Sequence, residues 1–288
     1  MGTASFDQAQ YKLAQRQSWD SVAAGWLTWW ETFEQAGQAV SDHLIDLARI
    51  APGQQVLDIA TGIGEPAMTA ARQVGPTGGV TAFDLSPQMV TIARERAAAL
   101  DIQNIVFHAG DAEQLDLRET SFDAILSRWG LMFFSNLVPT LDSMRRRLKR
   151  GGRLAAAVWS TAERAQVASL PLMVIGRHLQ LQPPAPGTLG PFSLADIDTL
   201  TNAFVQAGFA DVQCEPMTVL WEFARAEDFT CFHQDIAPPI KAMIAHLSAE
   251  QQSNIWSEIT EAVRRYTIAD GRVRVPGEII CVVGQLQQ

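Results

Sequence analysis

Residues 56–64 read Val56-Leu57-Asp58-Ile59-Ala60-Thr61-Gly62-Ile63-Gly64, a short apolar run that ends in a carboxylate, a hydroxyl and two glycines. Glycine permits φ angles that a side chain forbids and lets backbone N–H groups come close to a ligand. A helix opening behind this turn, near Glu65 and Pro66, favours a negative group such as a carboxylate at its N-terminus. Pro66 suits a first helical position, where its missing N–H costs nothing. Asp58 pulls the other way: a carboxylate beside the turn repels a pyrophosphate and suits a cation such as an ammonium or a sulfonium. Two further acids follow. Asp84 lies 20 residues after Gly64, where an acid can accept from both ribose hydroxyls. Asp111, in Gly110-Asp111-Ala112-Glu113, is placed to accept from an exocyclic adenine amine. The spacing Gly62-x-Gly64-x-x-Ala67 also fits the Gly/Ala form of the dinucleotide fingerprint. Two ligand classes therefore stand at this point, a nucleoside with a cationic tail and a dinucleotide.

These residues need a scaffold that brings strand ends together. Alternating patterns predict strands at Gln55–Ala60, Gly79–Asp84, Ile105–Ala109, Phe122–Arg128 and Arg153–Trp159. Helices are expected between them, at Pro66–Gln73, from Ser86-Pro87 with Ser86 as N-cap, and at Val138–Lys149. Such alternation implies an α/β fold with right-handed crossovers and a parallel sheet covered on both faces. Ligands then bind beyond the carboxyl ends of the strands. Gly62, Gly64, Asp84, Asp111, Ser127, Arg128 and Trp129 all fall there. Ahead of the sheet, Trp19, Val22, Trp26, Trp29, Trp30 and Phe33 recur at helical steps and predict one helix over 18–34, with a second over Gly37–Arg49. After it, helices are expected over Ala162–Leu181, Leu194–Ala207 and most of Glu227–Tyr266, with strands at Val212–Phe223 and Gly277–Gln285.

In five segments the chain resembles a class I S-adenosylmethionine-dependent methyltransferase, of the small-molecule branch that includes ubiquinone/menaquinone-type enzymes. The segments are Val56 to Gly64, Phe83-Asp84-Leu85-Ser86-Pro87-Gln88-Met89, Gly110 to Glu113, Phe122-Asp123-Ala124-Ile125, and Leu148-Lys149-Arg150-Gly151-Gly152-Arg153-Leu154. The resemblance implies a Rossmann-like fold with a mostly parallel seven-stranded sheet, flanking helices and a helical cap. It implies N-terminal helices over 1–50 that close on the site, a cofactor-binding core over 51–160, and the rest of the sheet over 161–288 with cap insertions near 161–190 and 225–270. S-adenosyl-L-methionine would be the cofactor and S-adenosyl-L-homocysteine its product. Asp58, Ala60, Thr61, Gly62 and Gly64 would hold the methionine part, Asp84, Leu85 and Met89 the ribose and adenine, and Gly110, Asp111 and Ala112 the adenine edge. Ser127 and Arg128 would lie near the sulfonium and the cofactor carboxylate. A small, largely apolar or aromatic methyl acceptor would meet Trp19, Trp26, Trp129 and Phe133, with His233 as the candidate base. Departures from the family pattern are Arg150, where Pro is usual, and Glu65, where a small residue or Thr is usual.

Composition narrows the alternatives. A net charge of −9 disfavours nucleic acid, which needs a basic face. The run Arg145, Arg146, Arg147, Lys149 and Arg150 reads as cations offsetting a helix C-terminus. Cys214, Cys231 and Cys281 are widely spaced, suggesting neither a disulfide framework nor a metal site. With no long apolar run, the expectation is a soluble, cytoplasmic chain without membrane insertion. Two other classes remain: a cofactor-binding protein of the same fold that does not methylate, and a nicotinamide-dependent oxidoreductase.

Overall fold

The computed structural model describes residues 7–114, 121–182 and 187–287. Its sheet begins with β1 (Gln55–Ile59), β2 (Gly79–Asp84), β3 (Ile105–Ala109) and β4 (Phe122–Arg128). Val56, Leu57, Asp58 and Ile59 are all buried, as expected for a parallel strand covered on both faces. Three strands complete the sheet, β5 (Leu148–Trp159), β6 (Ala210–Phe223) and β7 (Val273–Gln285). The order is β3-β2-β1-β4-β5-β7-β6, with β7 antiparallel to both neighbours and the others parallel. Chain direction across the sheet reverses between β1 and β4, which opens a crevice at their carboxyl ends. The expected seven-stranded, Rossmann-like architecture is the one observed.

Local chemistry sets the helices that point at this crevice. After Gly64, Pro66 caps α3 (Ala67–Val74), one residue later than expected. Ser86 caps α4 (Pro87–Ala99) by accepting from the Met89 N–H at 3.1 Å, and the serine hydroxyl donates in turn to Asp20 at 2.6 Å.

Several element boundaries differ from expectation, among them β7, which starts four residues early at Val273; others change the layout more. The tryptophan stripe belongs to two helices, α1 (Gln8–Thr28) and α2 (Trp30–Ala48), that meet at Trp29. Trp29 leaves helical geometry while its indole donates to Asp235 at 2.9 Å, and Trp26 and Phe33 stack across the break. Both helices turn aromatic faces the same way, so the periodicity ran through the bend unseen. The helix expected to reach Lys149 is α5 (Leu137–Arg145), and β5 starts five residues early at Leu148 because Phe122 takes up pairing there. The basic run is thus only partly helical: Arg145 and Arg146 pair with Asp142, and Lys149 pairs with Asp123. Finally, the long helical stretch after residue 226 is three helices, α8 (Ala226–Ile236), α9 (Pro238–Ile244) and α10 (Ala249–Val263).

With α6 (Gln166–His178), those helices roof the crevice, while α7 (Ile197–Gln206) packs behind the sheet. Helix α1 crosses the front, against α4, α8 and α9. At Gly25 the α1 backbone presses on the Asp235 carbonyl, where a Cβ would collide. No described helix is long and apolar enough to cross a membrane.

Candidate active site

Two confluent cavities occupy the crevice. The first, of about 1030 Å³, runs along the ends of β1 and β2. Ala60, Thr61, Gly62, Asp84, Leu85, Met89, Asp111, Ala112 and Arg128 border it. Asp58 and Ser127 stand just behind that wall, fully enclosed. Gly64 packs on the end of Met68 and holds φ +110°, a conformation that residues with a side chain rarely adopt. Gly110 lies beside Phe83 and does not border the cavity.

The carboxylates here are unusual. One Asp84 oxygen accepts from the Gly62 N–H at 2.8 Å and the other from the Ser86 N–H at 2.9 Å, so each keeps a lone pair for a ligand. Burial nevertheless pushes Asp84 up to about 6. Asp58 is pushed further, to about 7, mainly by burial, against weaker opposing pulls from Thr61 and Arg128. No hydrogen bond of good geometry reaches either Asp58 oxygen or the Thr61 and Ser127 hydroxyls beside it, although the Thr61 side chain and the Ala67 N–H lie close enough to draw the Asp58 pKa down. Buried polar atoms are nearly always paired, so a cluster of orphans at adjoining strand ends marks where a ligand's polar groups belong. An ammonium group would satisfy Asp58, while a pyrophosphate would be repelled by it. This donor and acceptor set fits the amino-acid end of S-adenosylmethionine.

The second cavity, of about 1060 Å³, lies under the roof. It shares Trp19, Trp26, Phe33, Trp129 and Phe133 with the first. Beyond them its wall is aromatic: Trp159 stacks on Trp129 at 5.1 Å, and Trp221 lies between Phe33 and Phe232. His233 borders this cavity, but each of its ring nitrogens faces a backbone carbonyl. Nδ1 is 2.9 Å from the Phe229 carbonyl and Nε2 is 2.9 Å from that of Val167. Burial lowers the imidazole to about 4, so it is neutral at pH 7 and donates to one of the two carbonyls, while its other nitrogen faces the second. The expectation of a His233 base is withdrawn on this geometry.

Comparison with known proteins agrees with this layout. Residues 50–179 match the model of the methyltransferase domain family. Over those residues the chain is similar to that family. The chain is similar to an arsenite methyltransferase from Halobacterium salinarum, at 30% identity over 61% of this chain and 42% of that protein. It is also similar to a ubiquinone/menaquinone biosynthesis C-methyltransferase from Ectopseudomonas mendocina, at 37% identity over 40% of this chain and 46% of that one. These matches span less than half the length of the curated relatives. Among solved structures, a Haemonchus contortus phosphoethanolamine N-methyltransferase 2 in complex with S-adenosylhomocysteine superposes with a TM-score of 0.61 at 19% identity, covering 95% of this chain and 60% of that one. A putative methyltransferase from Bacillus halodurans gives 0.54 at 22% identity, over 87% and 100%. Both show likeness of fold.

The site also includes Lys12, Glu34 and Arg96, which sequence reasoning passed over, and shows how the expected residues around them are held. Lys12 on α1 pairs with Asp111 at 3.2 Å and with Glu113, fastening α1 across the first cavity. Although burial works against it, Glu113 is held below the ordinary carboxylate range by Lys12 and by the Ser135 N–H and hydroxyl. Its signal was already in the Gly110–Glu113 motif. Glu65 is buried and raised by that burial, accepts from the Thr69 hydroxyl at 2.7 Å and borders the cavity. Arg128 donates to the Gly37 carbonyl and the Ser41 hydroxyl at 2.9 Å each, and its charge lies close to both Asp58 and Glu65. Glu34 and Arg96 close the far edge as an ion pair; neither belongs to a motif.

Proposed function

We propose that the chain is an S-adenosylmethionine-dependent methyltransferase acting on a small, largely apolar or aromatic molecule, with S-adenosylhomocysteine as the second product. The observation that carries this reading is the set of buried, unpartnered polar atoms on Asp58, Thr61 and Ser127 beside the Gly62 turn. When bound, the cofactor supplies an electrophilic methyl group on a positively charged sulfur. The protein's part is placement. Asp58 would meet the ammonium, Asp84 the ribose hydroxyls, and Asp111 and Ala112 the adenine edge, while Leu85 and Met89 pack around the nucleoside. Ser127, Arg128, Gly64 and Gly110 shape that end from behind or beside it. Trp19, Trp26, Trp129 and Phe133, shared by both cavities, would seat the acceptor against the cofactor. Holding two reactants in line contributes roughly 7–11 kcal/mol to barrier lowering without any covalent step.

Both named curated relatives are methyltransferases, which supports the reaction class. The test incubates the protein with isotope-labelled methyl donor and a metabolite extract. The expected outcome is S-adenosylhomocysteine released in step with a product heavier by one methyl group. S-adenosylhomocysteine formed without a methylated product would point to a non-methylating relative. Tight NADPH binding with no S-adenosylhomocysteine binding would replace the reading by an oxidoreductase.

A further inference from the structure

Helix α1 turns one stripe toward the crevice, made of Lys12, Gln15, Trp19, Val22 and Trp26 at the three- and four-residue steps that share a helix face. All but one of these side chains have evident partners. Lys12 pairs with Asp111 and Glu113, and the Trp19 ring meets Phe133 edge-on at 5.4 Å. Val22 is buried, and the Trp26 indole donates to the Ile236 carbonyl at 3.3 Å. Gln15 is the exception. It is half-buried between Lys12 and Trp19, and its carboxamide makes no hydrogen bond with a described residue. Unlike the Thr61 and Ser127 hydroxyls, that carboxamide is accessible and not enclosed.

Its place explains why this matters. Among the described residues that border both cavities, Gln15 is the one with a polar side chain that is not aromatic. One turn on, Ser18 borders the second cavity alone, and its hydroxyl also makes no hydrogen bond with a described residue. Indoles aside, the remaining polar side chain described on that wall is His233, whose nitrogens face the Phe229 and Val167 carbonyls. The apolar cavity therefore has a polar edge on α1, built of a carboxamide and a hydroxyl. Both groups donate and accept, and neither is charged. The cation of the stripe, Lys12, is committed to two carboxylates and leaves nothing to balance a net charge.

We infer that Gln15, with Ser18 beside it, is the specificity-determining contact for the methyl acceptor. The pair hydrogen-bonds a neutral polar head group, a hydroxyl, carbonyl or ring nitrogen, carried on an otherwise apolar or aromatic body. This rests on the methyl-transfer reading and adds the group by which the acceptor is oriented. A polar atom set against an aromatic wall costs free energy unless a hydrogen bond meets it. The head group is thus drawn to the α1 edge and the body to the rings under the roof. The contact is one of binding: Gln15 takes no proton, and no bond is made or broken through it.

The test compares beta-naphthol, neutral at pH 7, with beta-methylnaphthalene, which has nearly the same shape and no hydroxyl. Each is bound to the full chain saturated with S-adenosylhomocysteine and measured by equilibrium dialysis. Gln15→Met keeps the length and helix preference of the side chain and removes its hydrogen bonds. It is expected to weaken beta-naphthol about tenfold and to leave beta-methylnaphthalene within about twofold, as for loss of one hydrogen bond. Ser18→Ala is expected to act in the same sense, by about threefold on beta-naphthol. A thermal unfolding midpoint equal to that of the wild type reports an intact fold; should Gln15→Met lower it, Ser18→Ala decides by the same comparison. Equal loss of both naphthalenes, unchanged beta-naphthol binding in both variants, or no beta-naphthol binding by the loaded wild type would each overturn the inference. A Gln15→Met loss that falls on S-adenosylhomocysteine alone would overturn it too, since the amide would then serve the cofactor. Failure of the wild-type chain to bind S-adenosylhomocysteine in calorimetry would instead overturn the methyl-transfer reading beneath it.

Discussion

The two cavities are built on opposite logic although they share five aromatic walls. At the nucleoside end, polar groups come from strand termini and turns: Asp84 grips two backbone N–H groups, and Asp58 waits without a partner. At the acceptor end, rings from α1, α2, α8, β5, β6 and the segment after β4 pack on one another, and exact polar placement is scarce. The first region recognises by hydrogen bond and charge, the second by shape and desolvation. A protein that must hold one constant cofactor and a particular acceptor benefits from keeping these functions apart, so that roof residues can change without disturbing the turn.

Substitutions can break this division. The largest effect is expected for Asp84→Ala, which removes the ribose acceptor and also frees the Gly62 N–H. Affinity for S-adenosylhomocysteine should fall by about 100-fold in calorimetry, since hydrogen bonds to a charged group contribute roughly 1.5–3 kcal/mol each. KM for the acceptor should change little; a parallel rise would show the two regions to be one. Trp159→Ala addresses the reverse case, because Trp159 borders only the acceptor cavity. KM for the acceptor should rise about tenfold, with S-adenosylhomocysteine affinity unchanged, as expected for loss of one stacked ring worth about 1 kcal/mol or more.

A pH experiment sharpens the comparison from the polar side. Burial holds Asp58 at about 7 and Asp84 at about 6, so each keeps its proton to a higher pH in the folded, ligand-free protein than in the unfolded chain. Their contribution to stability is full below about pH 4, their ordinary range, and is lost as pH rises through those values. A ligand that brings an ammonium and ribose hydroxyls favours the carboxylates and reverses the preference. Product binding near neutral pH should therefore release protons, visible in the dependence of binding heat on buffer. Affinity should weaken several-fold as pH is lowered from about 8 to about 5. Binding without proton release would mean that neither acid meets the ligand.

The smallest effect concerns Ala60, which holds φ +59° where glycine would be unstrained. Its Cβ would also crowd any side chain at Gly130, 2.5 Å away. Ala60→Gly should raise stability by about 0.5 kcal/mol, as relieved strain is partly offset by glycine's greater freedom when unfolded. Thermal unfolding would detect it. A loss of stability would mean that the alanine methyl packs usefully against the ligand turn.

This asymmetry also decided what could be read from the sequence. β2, β3 and β4 have the expected bounds, and the nucleoside-side residues adjoin one another, because turns, caps and strand-end acids are local and carry fixed spacings. The acceptor wall depends on contacts between distant segments. Phe33 reaches Trp221 and Phe232, pairings that no local pattern announces. His233 illustrates the limit: its aromatic neighbours were legible, but the carbonyls that occupy its nitrogens come from Phe229 and from Val167 on another helix. The bend at Trp29 was hidden by the regularity of the aromatic stripe around it.

The close approach of Gly25 to Asp235 has a consequence for biosynthesis. Helix α1 is made early, yet its partners include a segment 210 residues later, where the Trp26 indole donates to the Ile236 carbonyl. At ordinary elongation rates of about 5–20 residues per second, α1 emerges from the ribosome roughly 10–40 s before that partner exists. During the interval its tryptophans have only the half-built sheet to rest on, which makes nascent chains of intermediate length the forms most exposed to chaperones.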